Sequence, residues 1–484
     1  MARQLAWALA RSPEVLMRRA PSDDGFIYLA IAQHFPRPEH SAGIATTGFH
    51  PLWWLVVTPF VHLLDGLSAV RAVLLLAVVL HLASGAILFV ALRQRFEPLA
   101  AWGAAATWIL LPGARTIVVM GVESSLLACC LALVLWRVLL PGAPTPRRAA
   151  AVGAAVGLAY LARTDSPFVT LPLLLAWLSL GRAPWRARVR PFVVAGASGF
   201  AVALPWLAYT ASQGSLLASD AFRAERQGTS LALFVDTEKR AAAELYLLNA
   251  LGDLRHAVGG AVSNGALAVA GALLVWALAR RRDRVGLAAL AGPALVFVAY
   301  GALEGYIRDW YLLYPLFALT AFGVPVVVEA VAHRASTGWA RAVVGSVLGL
   351  SLALPNHALN PQEGDKWLAA PIASELLPAD ARVGAFNAGI YQYAMRQEVV
   401  NLDGVVNPDV LAHRGAGLCD YLVAEGIDHL VDYRLYLDRA QAADARLTFT
   451  ERVDLTAIAS PTGDRVDQRQ ELVTVDLDAC RGQR

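Results

Sequence analysis

Long apolar runs separated by short polar breaks dominate the chain from residue 71 to residue 354. A bilayer-crossing helix needs about 20 mostly apolar residues, because in hydrocarbon every backbone N–H and C=O must be bonded within its own segment. Runs at 71–92, 99–111, 124–140, 149–161, 167–180, 192–211, 257–279, 285–302, 310–330 and 339–354 meet or approach that length. The pattern predicts an α-helical polytopic membrane protein of about ten spans, or about eleven if a first span is missing from the start. The runs 99–111 and 149–161 are short and need neighbouring residues to complete a crossing. Ahead of Asp23 the only apolar stretch is 5–17, interrupted by Arg11 and Glu14. That stretch is too short and too charged to span. It is either an interfacial amphipathic helix or the remnant behind a lost first span. The second is the expectation, since an outer Asp23 otherwise requires export of the N-terminus itself.

Arginine fixes the orientation. Alternate connections carry Arg93 and Arg95, then Arg147 and Arg148, then Arg182, Arg186, Arg188 and Arg190, then Arg280, Arg281, Arg282 and Arg284, then Arg334 and Arg341. The connections between them carry single arginines, Arg115, Arg163 and Arg308. Short cytoplasmic loops are enriched in Lys and Arg, so the basic set is read as cytoplasmic. The other face then receives Asp23 and Asp24, Glu123, the turn Arg163-Thr164-Asp165, a long loop over 213–256, residues 304–309, and everything after 356. Isolated charges where membrane helices end are costly unless they line a wet cavity. They are equally the ordinary polar residues of loops.

After residue 356 the composition turns mixed. A helix at 365–377 closed by Pro378, strands at 382–386, 399–402, 429–431 and 472–475, and a helix at 418–425 ended by Gly426 alternate as in a small α/β domain. It shows no Gly-rich phosphate loop and no catalytic triad. The division is residues 1–70 with the first outer loop, 71–355 as the membrane helical domain, and 356–484 as an extracytoplasmic α/β domain.

Composition agrees with a membrane solvent: 57% of residues are hydrophobic and 16% charged, where soluble chains are about a quarter charged. A net charge of +3 over 484 residues says little about partners, and no nucleic acid is expected among them. Lysine is rare, with Lys239 and Lys366 the only two among 41 basic residues, a bias attributed to coding composition. Cys129 and Cys130 sit in an apolar run as small buried hydrophobes. Cys419 and Cys480 pair only if the C-terminal part lies in an oxidising compartment, and unpaired thiols are the expectation. No metal-type Cys/His spacing occurs.

Candidate chemistry begins at Ser22-Asp23-Asp24-Gly25-Phe26-Ile27-Tyr28, a carboxylate pair ahead of an aromatic-bearing helix. Adjacent acids point to different sides, so one at most faces a given substrate atom. Asp at a helix start is also an ordinary N-cap, and both readings stand at this point. Next, Gly48-Phe49-His50-Pro51-Leu52-Trp53-Trp54 opens an apolar stretch to Leu64 whose two ends both lie on the outer side. A helix in the interface is expected there, with the paired tryptophans at headgroup level.

The order of these features resembles the C-type glycosyltransferase superfamily, which includes the protein O-mannosyltransferases and the lipid A aminoarabinose transferase. Its first outer loop carries an Asp followed by a juxtamembrane helix opening His-Pro-Pro-Leu; this chain has His50-Pro51-Leu52, one Pro fewer. Bacterial members marked by Asp-Asp, Gly-Phe-His-Pro-Leu-Trp, Gly-x-Glu-Ser and Asn-Leu-Asp-Gly are still more similar, matching residues 23–24, 48–53, 121–124 and 401–404. The resemblance implies transfer of a sugar from a polyprenyl-phosphate donor to a lipid, glycan or protein acceptor at the non-cytoplasmic face of the cell (inner) membrane. It implies Asp23 as general base with Asp24 second, and Arg163, Arg308 and His50 as ligands of the leaving phosphate. Glu123, Asp165, Asp309 and Tyr311 are expected to bind substrate, or the acids to orient an arginine. Trp310, Tyr311 and Tyr314 edge a sugar or prenyl groove, or anchor the interface. Paired carboxylates also permit a divalent metal, Mg, Mn or Ca. The rival readings are a flippase or transporter of lipid-linked glycans and a non-catalytic membrane scaffold. Internal repeats and midplane charges would mark a transporter; no repeat is visible and charges within the runs are few.

Overall fold

The computed structural model describes residues 12–17, 21–142, 144–179, 185–216, 218–227, 271–302, 309–353, 361–413, 415–459 and 469–482. Most of the expected span 257–279, most of the loop 213–256, and Arg308 lie outside the described residues.

The apolar runs are helices. In chain order these are α1 (Pro13–Met17), α2 (Asp23–Gln33), α3 (Pro51–Leu63), α4 (Gly66–Leu92), α5 (Pro98–Leu110), α6 (Pro112–Val118), α7 (Ser124–Leu139), α8 (Pro146–Ala162), α9 (Pro167–Ser179) and α10 (Trp185–Ser212). There follow α11 (Asp220–Gln227), α12 (Gly271–Arg280), α13 (Arg284–Ala302), α14 (Trp310–Arg334, with a π turn at Leu319–Gly323) and α15 (Thr337–Ala353). Helices α4, α14 and the part of α10 from Arg188 to Ser212 are long and apolar enough to cross a bilayer by themselves. The remaining apolar helices are shorter, each broken by Pro or a polar turn. Exposed Val79, Trp102, Leu175, Phe200 and Val298 on their outer sides show the apolar exterior of a protein solvated by lipid.

The helices run so that the basic connections collect at one end. Arg95 pairs with Asp283 at 2.9 Å, Arg281 with Glu329 at 3.0 Å, and Arg284 Nη1 donates to the Ser179 carbonyl at 2.7 Å. Glu123, Arg163, Asp165 and Tyr311 therefore fall at the opposite end, where α7 and α9 begin and α8 finishes.

Beyond the membrane helices, α16 (Pro361–Leu376) leads into a five-stranded sheet of β3 (Arg382–Ala385), β4 (Glu398–Asn401), β5 (His429–Tyr433), β6 (Phe449–Asp454) and β7 (Gln470–Val475); β1 (Glu39–Ser41) and β2 (Ile44–Ala45) form a separate hairpin in the first loop. The order is β4-β3-β5-β7-β6, with β4, β3 and β5 parallel and β7 antiparallel to both neighbours. Period-2 alternation sends Val400, Leu430 and Val473 into one buried layer and Val399, Val431 and Leu472 into the other. Helices α17 (Ala388–Ala394), α18 (Leu418–Glu425) and α19 (Arg434–Ala443) cover the sheet, and α18 ends on Gly426 as its sequence indicates. Cys419 and Cys480 form a disulfide across 61 residues, contrary to the expectation of free thiols. Local sequence holds no trace of that proximity, which the sheet creates.

The sheet domain sits on the first loop rather than apart from it. Ser41 Oγ donates to the Val399 carbonyl at 2.9 Å, Tyr393 Oη donates to the Gly66 carbonyl at 2.9 Å, and Phe26 packs between Trp367 and Tyr393. One core unites Phe26, Trp53, Leu74, Met120, Ile390 and Tyr393. Leu16 and Met17 of α1 are buried in this same core, while the rest of the expected 5–17 stretch is mostly outside the described residues.

Candidate active site

Four short sequence stretches meet where α2 lies against the membrane helices. Ser22 donates to the Met120 carbonyl through both its N–H and its hydroxyl, at 3.0 and 3.1 Å. Trp53 Nε1 donates to the Gly121 carbonyl at 2.9 Å. Gly48 lies against the Val405 backbone so closely that an added Cβ would stand 1.8 Å from that carbonyl oxygen, which leaves room there for glycine alone. Residues 22–28, 48–53, 120–124 and 401–405 thus form one surface. Trp53 and Trp54 are buried in it against other side chains. An apolar pattern cannot distinguish lipid from protein as the surrounding medium, and here Trp54 is packed against Phe35 and Phe49.

The helix N-cap of α2 is Ser22, whose Oγ accepts from Gly25 N at 3.2 Å. Both acids are therefore inside the first turn, aimed to different sides. Asp23 is buried: its Oδ1 accepts from Lys366 Nζ at 3.1 Å and from Ile390 N at 3.1 Å, and its Oδ2 from Gly389 N at 3.1 Å. Asp24 is half-buried and lies one helical turn ahead of Tyr28, so those two share a face.

Tyr28 carries that face to the second group. Its hydroxyl donates to Glu123 Oε2 at 2.7 Å, and Arg163 Nη1 donates to Glu123 Oε1 at 2.5 Å. Arg163 also grips Asp165 with a two-pronged contact, Nε to Oδ1 at 3.1 Å and Nη2 to Oδ2 at 2.8 Å. The Arg163 guanidinium lies 4.5 Å from the centre of the Tyr311 ring. Tyr314 Oη donates to Asp165 Oδ1 at 2.5 Å, Tyr300 Oη reaches Oδ2 at 3.4 Å, and Tyr311 Oη donates to Tyr300 Oη at 2.8 Å. His50 Nε2 stands 3.8 Å from Glu123 Oε1, at the N-terminus of α3.

Burial alone would neutralise these groups; their neighbours prevent it. Desolvation pushes the Glu123 carboxyl up, but His50 and Arg163 outweigh it and hold it below the usual range. Desolvation acts likewise on Asp165, and the Arg163 charge and hydrogen bonds reverse it. Burial works against the Arg163 cation, yet Asp165 and Glu123 hold it protonated well above its ordinary value. His50 goes the other way: desolvation lowers it, against the Glu123 charge, which raises it. The ion cluster carries one cation and two anions, a net negative charge.

Of the residues expected from sequence, the structure brings together Asp24, His50, Glu123, Arg163, Asp165 and Tyr311. It turns Asp23 away, toward the sheet domain. Arg308 lies outside the described residues, and of Asp309 only the backbone, in the short turn Asp309–Leu312, is described. Tyr28, Tyr300, Lys366 and Glu363 were not singled out. The one available signal was the rarity of lysine. Among the described residues no group of three or more His, Cys, Asp or Glu is arranged to hold a metal.

Residues 359–473 match a family described as Domain of unknown function (DUF8728). No curated protein matches the chain in sequence. Two solved structures of ArnT from Cupriavidus metallidurans, one apo and one bound to undecaprenyl phosphate, are similar in fold. Each is 13% identical and covers 98% of this chain and 96% of the other, with TM-scores of 0.59 and 0.58. The oligosaccharyltransferase AglB of Archaeoglobus fulgidus, in complex with an inhibitory peptide and a dolichol-phosphate, is 12% identical. That match covers 89% of this chain and 68% of the other, with a TM-score of 0.54. Such identities speak for fold alone. Overlap along nearly the whole chain gives it the overall fold that these two proteins share.

Proposed function

We propose that this protein is a membrane glycosyltransferase that moves a sugar from a polyprenyl-phosphate donor to an acceptor hydroxyl on the extracytoplasmic face of the cell membrane. The observation that carries the reading is Asp24, half-buried on a first-loop helix and one turn from the Tyr28–Glu123–Arg163 network, in a chain sharing its fold with ArnT over 98% of its length. The collection of basic connections at the opposite end supports the sidedness, and so does the Cys419–Cys480 disulfide, which belongs in an oxidising compartment.

In this mechanism the acceptor hydroxyl gives its proton to the Asp24 carboxylate as its oxygen bonds to the anomeric carbon. The carbon–oxygen bond to phosphate breaks on the far side, and the lipid phosphate leaves with the electron pair, so the anomeric configuration inverts. Asp24 is placed ahead of Asp23 as base because it shares a helix face with Tyr28, whereas the Asp23 carboxylate faces Lys366, Gly389 and Ile390 of the sheet domain. Arg163 acts by fixing Glu123 and Asp165, since both acids neutralise it and Tyr311 covers one face. The leaving phosphate then falls to His50 and, as the resemblance implies, to Arg308, with Asp309 as a substrate ligand. Among the described residues no three His, Cys, Asp or Glu side chains converge to hold a divalent ion, and no step is routed through one.

The test is mass spectrometry of polyprenyl-phosphate sugars in cells lacking the gene. One such lipid is expected to accumulate, with wild type restoring turnover and Asp24→Asn failing to do so. Restoration by Asp24→Asn removes the base assignment, and an unchanged lipid pool removes the donor class.

A further inference from the structure

The carboxylate of Asp23 belongs, by its contacts, to the C-terminal domain. All three donors it accepts come from there: Lys366 on α16 and the backbone N–H groups of Gly389 and Ile390 at the start of α17. Lys366 is itself only 2% exposed, with Nζ 3.0 Å from Glu363 Oε2 and 5.2 Å from the centre of the Tyr433 ring. A buried ammonium survives only when paired, and this one stands between two carboxylates. The α17 turn is held from behind by Asp432, which accepts from Phe386 N at 2.7 Å and Asn387 N at 2.8 Å and so orients the start of the helix whose Gly389 and Ile390 N–H groups reach Asp23. An added Cβ at Gly389 would stand 2.2 Å from the Asp23 carbonyl oxygen, so the two backbones meet where no side chain fits. Burial pushes the Glu363 carboxyl up to about 7, with Lys366 opposing and Asp23 adding to the rise, which keeps the triad close to charge balance.

We propose that the C-terminal domain is a clamp for the first loop, with Lys366 and the Gly389–Ile390 N–H pair gripping Asp23 so that the next residue, Asp24, faces the Tyr28–Glu123 network. Asp23 and Lys366 are then positioning residues. The clamp residues 363, 366, 387, 389, 390 and 432 all lie in the segment matching a domain family of unknown function, and the inference assigns that segment a role. It rests on the glycosyltransferase reading only for the consequence in turnover.

The experiment uses the full-length protein in lipid nanodiscs, as Lys366→Met, Asp23→Asn and the double variant. Amide hydrogen exchange is read over residues 21–33, and kcat and donor KM are read where a donor lipid is in hand. Each single variant is expected to raise exchange in 21–33 at least tenfold and to lower kcat at least tenfold, with KM within about twofold. The double variant is expected to be no worse than the worse single, because both remove one contact. Wild-type kcat in Lys366→Met with a dead Asp23→Asn overturns the clamp and makes Asp23 the base. Losses that multiply in the double variant overturn it as well, as does unchanged exchange. Should Lys366→Met fail to express, Lys366→Gln keeps an N–H donor toward Asp23 and is expected to raise exchange less; wild-type exchange there is again an overturning result. The exchange arm needs no turnover, so failure to find any donor lipid sinks the enzymatic reading while leaving the clamp to be judged on exchange alone.

Discussion

The Tyr28 hydroxyl donates to Glu123 Oε2 at 2.7 Å across 95 residues of sequence, and this one bond ties the first-loop helix to the ion cluster of the membrane helices. Asp24 rides on the same helix face. Whatever fixes Tyr28 therefore fixes the proposed base.

Tyr28→Phe removes that donor and leaves a buried carboxylate oxygen short of a partner. Hydrogen bonds to charged groups contribute about 1.5–3 kcal/mol, and a loss of that order is expected in stability. Transfer is expected to fall with it, since α2 loses its tether beside Asp24. Thermal unfolding in detergent and the transfer rate measure the two effects. A variant that melts and turns over like wild type denies the tether.

Arg163 is expected to be the most damaging single position of the cluster. Arg163→Ala strands Glu123 and Asp165 as buried like charges, and breaking a buried pair from one side costs about 3–5 kcal/mol. Arg163→Lys is expected to recover little, because a point ammonium cannot make the two-pronged contact to Asp165 while also reaching Glu123. The melting temperature of both variants, measured against Glu123→Gln, is the check. A stable Arg163→Ala would mean the cluster is wet and loosely held.

Stability is expected to fall on both sides of a mildly acidic optimum, for reasons that can be assigned. Glu363 has a folded value of about 7 against about 4.5 for an ordinary glutamate. The folded state thus binds the extra proton between those values, and its stability declines as pH rises from about 4.5 through about 7. Lys366 is in contact with it and opposes the rise, while the Asp23 charge and, more weakly, the Asp24 charge add to it. His40 is the opposite case: burial lowers it from 6.5 to about 3, against Asp23, which raises it. Its neutral folded form costs stability as pH falls from 6.5 toward 3, where the unfolded chain takes up a proton first. Glu363→Gln is expected to flatten the alkaline slope and His40→Gln the acidic one. Melting temperature against pH for the two variants distinguishes them, and unchanged slopes would remove both assignments.

The apolar helices were legible because each is a run of apolar residues and run length is a local property, though only three of the described ones are long and apolar enough to cross a bilayer by themselves. Glu123, Arg163 and Asp165 were legible for the complementary reason: charges at helix ends stand out against an apolar background. What was not legible is pairing. Asp23 and Lys366 are 343 residues apart, and nothing in the periodicity around either one points to the other. The expectation for Asp23 as base came from resemblance, which knows the Asp-Asp pair but not which acid the sheet domain occupies. The burial of Trp53 and Trp54 was not legible for a related reason, as an aromatic pair suits a lipid interface and a protein core alike.

The Cys419–Cys480 disulfide offers a test of sidedness that needs no substrate. It closes a loop of 61 residues between α18 and the C-terminal helix Leu477–Gly482, in the layer that also buries Leu418, Leu422 and Leu430. A bridge of that span contributes about 2–4 kcal/mol in the chain-entropy account, so Cys419→Ser is expected to lower the melting temperature and hasten proteolysis of the sheet domain. A cytosolic domain would instead be kept reduced, because the thiol pool there reverses such bonds. Alkylation of intact cells with a maleimide carrying a mass tag, before and after reductant, reads the state directly. Protection until reductant is added is the expected outcome and places the clamp, and with it Asp24, on the outer side. Tagging without reductant would put both in the cytoplasm and overturn the proposed sidedness.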